Sequence, residues 1–406
     1  MNHDYLTVHI LTAVPHHARN RDDRGAPKSH MEGGVLRGIL SSWSLKRAAR
    51  VKYERAAAGN VISFRSRALG EHILDRAAQI AEQANIPFDR DAASRIVKPL
   101  ILDLTVNIER ADKAALVKAR KARAHHEAKA PADASPEELA EFMAIYDAKV
   151  AAKLDAQIDK AERDAETAVW LSAEEVEAIA QGVVADGSTD NVFSARSSSL
   201  AIAGFGRMLA HRPEWSSEAA IAVSPATTTH SIAVEFDLFT TVDDLIPRGI
   251  SHLNQSAHTT GVYYRTVTFD RKQLQRSWTG ITADAADEQL TSFVRTLIET
   301  LPQAGKNNSA AEPLPAVVIA ETQLSRTGYE FDKPVQLGAD GGYLAPSMEH
   351  LYQQARAARL YDPEFFGDTL ISGVNAVGHD TGIPGADVVG IRGMVSFIVG
   401  WVKAAA

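Results

Sequence analysis

His17-Ala-Arg-Asn-Arg-Asp-Asp-Arg-Gly-Ala-Pro-Lys-Ser29, followed by Met31-Glu-Gly-Gly34 and Ile39-Leu-Ser-Ser-Trp-Ser-Leu-Lys-Arg-Ala-Ala-Arg50, gathers cations, glycines and hydroxyls in one short stretch. Upstream, Leu6, Val8 and Ile10 alternate with Thr7, His9 and Leu11, the period-two pattern of a strand with one buried face; Pro15 is expected to end it. Downstream, Ser42 is expected to cap a helix reaching about Ala57. Lys46 and Arg50, four residues apart, would share one side of it, with Arg47 flanking and Tyr53 a turn beyond; Ala48, Ala49 and Val51 would be buried on the other. The stretch between is read as a loop joining strand to helix. Arg and Lys supply charge and donors, Gly lets main-chain amides come close, and the first N–H groups of a helix favour anions. Those are the groups that hold a phosphate backbone, so the stretch is read as a nucleic-acid grip.

Working outward, the charge distribution agrees. The 406 residues carry a net charge of −8, which argues against a general polyanion binder. Residues 1–60, however, hold ten Lys and Arg against five Asp and Glu, a local excess of +5 that leaves −13 on the remainder. A basic face on an acidic body suits a protein that grips a polyanion at one place. The absence of cysteine excludes disulfides, thiolate zinc sites and cysteine nucleophiles. The first residues lack the features of a secretory signal. The last apolar run, Met394 to Val402, falls far short of the ~20 residues a spanning helix needs, so a soluble cytoplasmic protein with no membrane partner is expected.

Beyond the first helix, residues 65–185 read as an Ala-rich, charge-laced helical insertion. Ser135-Pro-Glu-Glu and Ser172-Ala-Glu-Glu are capping boxes, and Leu139, Phe142, Met143, Tyr146, Val150, Leu154 and Ile158 form an apolar stripe after the first. The basic run Lys113–Lys129, with His125-His126, reads as a solvated helix face. A polar linker from Asp186 to Ser199 precedes a strand over Ser231–Phe239 and another over Val262–Phe269, separated by some twenty polar residues that predict an exposed ribbon. Leu290, Phe293, Val294, Leu297, Ile298 and Leu301 define an amphipathic helix stopped by Pro302, and Ala316–Ala320 is a strand. The β-α-β, β-α-β rhythm predicts an α+β, ferredoxin-like fold of four antiparallel strands carrying two helices, with a glycine-rich, loop-like tail beyond Gly367.

Three ordered blocks carry a family resemblance. Arg19 to Lys28 with Gly33-Gly34, Ser41-Ser42 and Lys46-Arg47 is the first. The second is Phe205-Gly-Arg-Met208, then Asp237-Leu-Phe-Thr-Thr-Val-Asp-Asp-Leu245, Ser251-His-Leu253 and Thr260-Gly-Val-Tyr-Tyr-Arg265; Pro302-Gln-Ala-Gly-Lys-Asn-Asn-Ser-Ala-Ala311 is the third. Together they resemble the CasC family, RAMP-type backbone subunits of the type I-E CRISPR Cascade complex. The resemblance implies a palm of the RNA-recognition type over 1–57, 190–237 and 263–406, a helical fingers insertion over 58–189, and a thumb over 238–262. It implies crRNA as ligand, held by Lys28, Lys46, Arg47 and Arg50 with Arg21, Ser41 and Ser42 nearby, and kinked by apolar wedges at Met208 and Phe239. Neighbouring copies, other Cascade subunits, target DNA paired to the guide, and a recruited nuclease are the implied partners. The chain departs from the family in keeping only Arg37 between the double glycine and double serine, and in having Trp43 where Gln is usual.

The competing readings are specific. Lys28, Lys46, Arg47 and Arg50 would otherwise be a solvated face, and Met208 and Phe239 ordinary core residues. Asp22-Asp23 suggests the alternative of a Mg²⁺-dependent target-RNA nuclease like the backbone subunits of type III complexes; among Arg19, Arg21, Arg24 and Lys28, salt bridging that orders the loop is the expected role. Asp243-Asp244 is a second acidic pair. Neither His16-His17 nor His125-His126 has the spacing of a helical zinc pair, and no Walker A or Gly-x-Ser-x-Gly sequence occurs, so no cofactor, metal or catalytic residue is assigned.

Overall fold

The computed structural model describes residues 3–56, 62–104, 168–185, 192–242, 250–304 and 309–404; for 241, 242 and 250–253 it describes the backbone alone. The first capping box, its apolar stripe, the basic run around His125-His126, Asp243-Asp244 and Lys306 to Asn308 lie outside the described residues. The chain is α+β and divides into two compact units, one of 1–60, 198–206 and 218–406, the other of 61–197 and 207–217.

The first unit is built on β1 (Tyr5–His17), which pairs antiparallel with both β9 (Ile250–Asp270) and β10 (Val317–Gln323). Around them lie β2 (Ser29–Glu32), β3 (Val35–Leu40), β6 (Ile221–Val223), β7 (Ala226–Thr228), β8 (Glu235–Val242), β11 (Phe366–Ser372) and β12 (Ala386–Val388), giving a mixed ten-stranded sheet ordered β12-β11-β10-β1-β9-β7-β3-β2, with β6 and β8 also on β9. Leu45, Ala49 and Tyr53 of α1 (Ser42–Ala56) are buried beside Leu290, Phe293, Val294 and Leu297 of the helix Ala286–Glu299, and the Tyr53 and Phe293 rings lie 4.8 Å apart. Another core joins Leu11, Val317 and Ile319 to Met348, Leu351 and Ala355 of the helix Leu344–Tyr361.

Several expectations change here. Leu6 through Leu11 are all buried, because both faces of β1 are covered rather than one. The polar members survive burial by bonding: Thr7 Oγ1 donates to Gln323 Oε1 at 2.8 Å, and His9 Nε2 lies 2.9 Å from Glu321 Oε1. Pro15 does not end the strand. It sits where the β1–β9 register shifts between Val14 and His17, a bulge that tolerates its missing N–H. Tyr53 is core and shares no cationic face. The ribbon is β8 paired with the first half of β9, Glu235 opposite His258 and Phe239 opposite Asn254, so the second strand starts earlier than its apolar residues suggested. Nor is the tail loop-like throughout. β11 and β12 extend the sheet, and Ile391–Lys403 forms a helix burying Met394, Val395, Ile398 and Val402.

The second unit packs α2 (Leu69–Ala84), α3 (Arg90–Asp103) and α4 (Ala173–Ala185) with the pair β4 (Ser63–Ser66) and β5 (Val169–Ser172). Leu69, Ile73, Ala77, Val97, Val169, Leu171, Val176, Ile179 and Leu209 form its core. The Ser172 capping box is reciprocal: Ser172 N donates to Glu175 Oε2 at 2.8 Å and Glu175 N to Ser172 Oγ at 3.1 Å.

Candidate nucleic-acid interface

The stretch between β1 and α1 is no simple loop. Gly33 and Gly34, with φ of +59° and +79°, turn β2 into β3 as a two-residue hairpin. Adjacent glycines are a hairpin signal, but the flanking strands, Ser29–Glu32 and Val35–Leu40, are too short for their alternation to stand out beside it. Residues 19–28 form a compact turn ahead of it. Asp22 Oδ1 accepts from Arg24 N and Ala26 N, both at 2.9 Å, and Arg21 bridges Pro27. The acidic residue thus orders the turn through main-chain amides rather than the expected salt bridges. Asn20 links the turn to the helix, its carbonyl accepting from Lys28 N at 2.8 Å and its Oδ1 from Ser41 N at 2.9 Å. Lys28 and Ser41 are thereby brought to one junction.

At the head of α1, Ser41 takes the capping role expected of Ser42. Leu45 N donates to Ser41 O at 3.1 Å and Ser44 N to Ser41 Oγ at 3.4 Å, while Ser42 is the first helical residue. The cations beyond it divide. Arg47 is exposed, as are Arg21 and Arg24. Arg50 is half-buried and pairs with Glu54 at 3.1 Å, which lowers its claim on a phosphate. Lys46 is half-buried with its Nζ 5.6 Å from the Phe205 ring centre and 5.9 Å from that of Trp43. Burial, and after it the charge of Arg326, lower the Lys46 pKa.

Two arginines of the stretch are spent on the fold. Arg19 donates to Pro302 O at 2.9 Å and Ala310 O at 3.3 Å. Arg37 is fully buried, giving Nη1 to Thr228 O and Nη2 to Asp332 O, both at 2.9 Å, and Nε to Glu32 O at 3.3 Å. The one arginine between the double glycine and the double serine is therefore a structural clamp.

Neither Met208 nor Phe239, the two residues expected to act as wedges, is core. Met208 is 82% exposed. On one side Arg207, buried, gives Nη1 to both Glu175 oxygens at 2.8 Å, and its backbone exchanges two 2.8 Å bonds with Ser217; on the other Leu209 is buried. Phe239 is 41% exposed on β8, with Phe236 and Leu238 at 64% each. The sequence reading missed these two, together with Trp43 and Arg326 as neighbours of Lys46. Alternation along β8 signalled Phe236 and Leu238; no local signal marks Arg326, whose charge acts on Lys46 only through the fold. Among the described residues no group of three or more His, Asp or Glu is placed to hold a metal ion.

The model of the CT1975-like protein family matches residues 6–381, nearly the whole chain. The chain belongs to that family. The resemblance to Cascade backbone subunits drawn from the motifs therefore holds at the level of family. Two solved structures share the fold of this CT1975-like chain. A chain of a "CRISPR RNA-guided surveillance complex, pre-nicking" is 23% identical with a TM-score of 0.65, the match covering 98% of this chain and 100% of that one. A chain of a "CRISPR RNA-guided surveillance complex" is 19% identical with a TM-score of 0.55 and 98% coverage of each. No curated protein matches. No helix among the described residues is long and apolar enough to cross a membrane.

Proposed function

We propose that this CT1975-like protein is a non-catalytic, guide-RNA-binding backbone subunit of a Cascade-type surveillance complex, of the type I-E kind. The observation behind this is the junction of β1, the Asp22 turn and α1, where Asn20 ties Lys28 to Ser41 and α1 goes on to carry half-buried Lys46 and exposed Arg47, in a fold shared with chains of RNA-guided surveillance complexes. Contacts to phosphate are indifferent to base sequence, which a holder of variable guides requires. The antiparallel order β10-β1-β9-β6, with α1 and the helix Ala286–Glu299, reads as a ferredoxin-like, RNA-recognition-type palm of the RAMP class. Met208 and Phe239 serve as wedges between stacked guide bases, and β8–β9 as the thumb. Neighbouring copies extend along crRNA in the cytoplasm, exposed guide segments pair with target DNA, other Cascade subunits complete the particle, and a recruited nuclease cuts.

Because Arg50 is engaged by Glu54, the informative pair is Lys28 and Arg47. Lys28→Gln with Arg47→Gln should weaken binding of single-stranded RNA and flatten its dependence on log salt by about 0.7 per lost phosphate contact. An unchanged slope would remove both residues from the grip. Incubating the assembled complex with complementary RNA and Mg²⁺ tests the non-catalytic part; regular cuts abolished by Asp23→Ala would make the chain a nuclease instead.

A further inference from the structure

Trp43 is 71% exposed although indole is the largest apolar side chain, and it stands in the second position of α1 amid the cations of the junction. Lys46, one turn on, lies 5.9 Å from its ring centre and also faces Phe205. Arg326, exposed on the segment after β10, is the charge that acts on Lys46. Arg326 forms no ion pair among the described residues. Two cations acting on each other repel, and Lys46 is partly desolvated as well. A phosphate oxyanion arriving between them would reverse both costs. An aromatic face beside such a pair matches the other half of a nucleotide, since every unpaired base has a π-face and stacking tolerates any sequence.

We infer that Trp43, Lys46 and Arg326 form a nucleotide subsite for single-stranded RNA, Trp43 stacking on an unpaired base and the two cations holding its phosphate. This rests on the guide-binding reading and adds to it a base contact in a grip otherwise made to the backbone. Arg326 enters the site only through the fold, from a segment far along the chain.

The full-length protein, titrated with single-stranded RNA of mixed sequence, tests the inference. Trp43→Ala should weaken binding about five- to a hundredfold with an unchanged salt slope, because stacking releases no counterions. Trp43→Phe should keep most of the affinity while losing the quench of tryptophan emission that RNA binding produces. Arg326→Gln, a surface change, should weaken binding and flatten the slope by about 0.7. Wild-type binding matched by Trp43→Ala, or a quench that persists in Trp43→Phe, overturns the subsite and leaves the guide-binding reading standing. Failure of the wild-type chain to bind RNA overturns both. Loss of self-association in Trp43→Ala with RNA affinity intact assigns Trp43 to a contact between copies and also overturns it.

Discussion

Single side chains in this protein are tuned more by burial than by their neighbours in sequence. His17 is the clearest case. It is buried at the end of β1 beside Tyr263, with Arg19 N donating to its Nδ1 at 3.3 Å. Burial first, then the charges of Arg19, His258 and His16, hold its pKa near 4. Folded chains therefore take up this proton only near pH 4, whereas unfolded chains do so near 6.5, so the stability contributed is complete above pH 6.5 and is lost as pH falls from there towards 4. His230, whose Nε2 accepts from Val262 N at 3.1 Å, is shifted the same way, mainly by burial. Denaturant unfolding should show stability declining already below about pH 6.5, and His17→Gln should flatten that decline. An unaltered profile in the variant would place the sensitive group elsewhere. Glu321 titrates lower still: burial raises it most, but His9, Arg359 and Tyr329 together outweigh that and hold it near 2.

At the scale of elements, the β2–β3 hairpin shows how a turn and a clamp are coupled. A methyl group on Gly33 would collide with Asp332 O and lie 3.0 Å from Arg37 Nη2, whereas one on Gly34 would meet nothing within 4 Å. Both glycines have left-handed φ, so Gly34→Ala should cost about 1–2 kcal/mol from backbone strain alone. Gly33→Ala should cost at least about twice as much, because the carbonyl it strikes is one that Arg37 holds. Equal shifts in unfolding midpoint for the two variants would mean that the 331–332 segment yields freely. The capping box at Ser172 and the helix ending before Pro302 were legible in the sequence, whereas the hairpin at Gly33-Gly34 stands where a plain loop is expected. The bulge at Pro15 was not, because proline at a strand edge and proline ending a strand look alike until the partner strand is seen.

For the whole molecule, charge is segregated: an excess of +5 over residues 1–60 and −13 elsewhere on a chain of net −8. Such a molecule should bind RNA along one face and repel it on others, which favours ordered growth along a strand over condensation. Mixed with single-stranded RNAs of increasing length, the protein should form particles whose mass rises in steps with RNA length, measured by light scattering coupled to size exclusion. One copy per RNA at every length would count against a backbone role.

The sequence by itself determined the local elements with strong periodicity, the α+β class, the place where positive charge collects and the family resemblance, since each is written in neighbouring residues. Only the tertiary structure decided which cations remain available. Arg19 and Arg37 are consumed by carbonyls from distant segments, Arg50 is paired with Glu54, and Arg47 is left exposed, although all four are equally basic in the sequence. The same holds for β1, buried along both faces, with Leu11 packed against the helix Leu344–Tyr361 far along the chain. Burial belongs to what packs against a residue, and that is set by contacts between positions hundreds of residues apart.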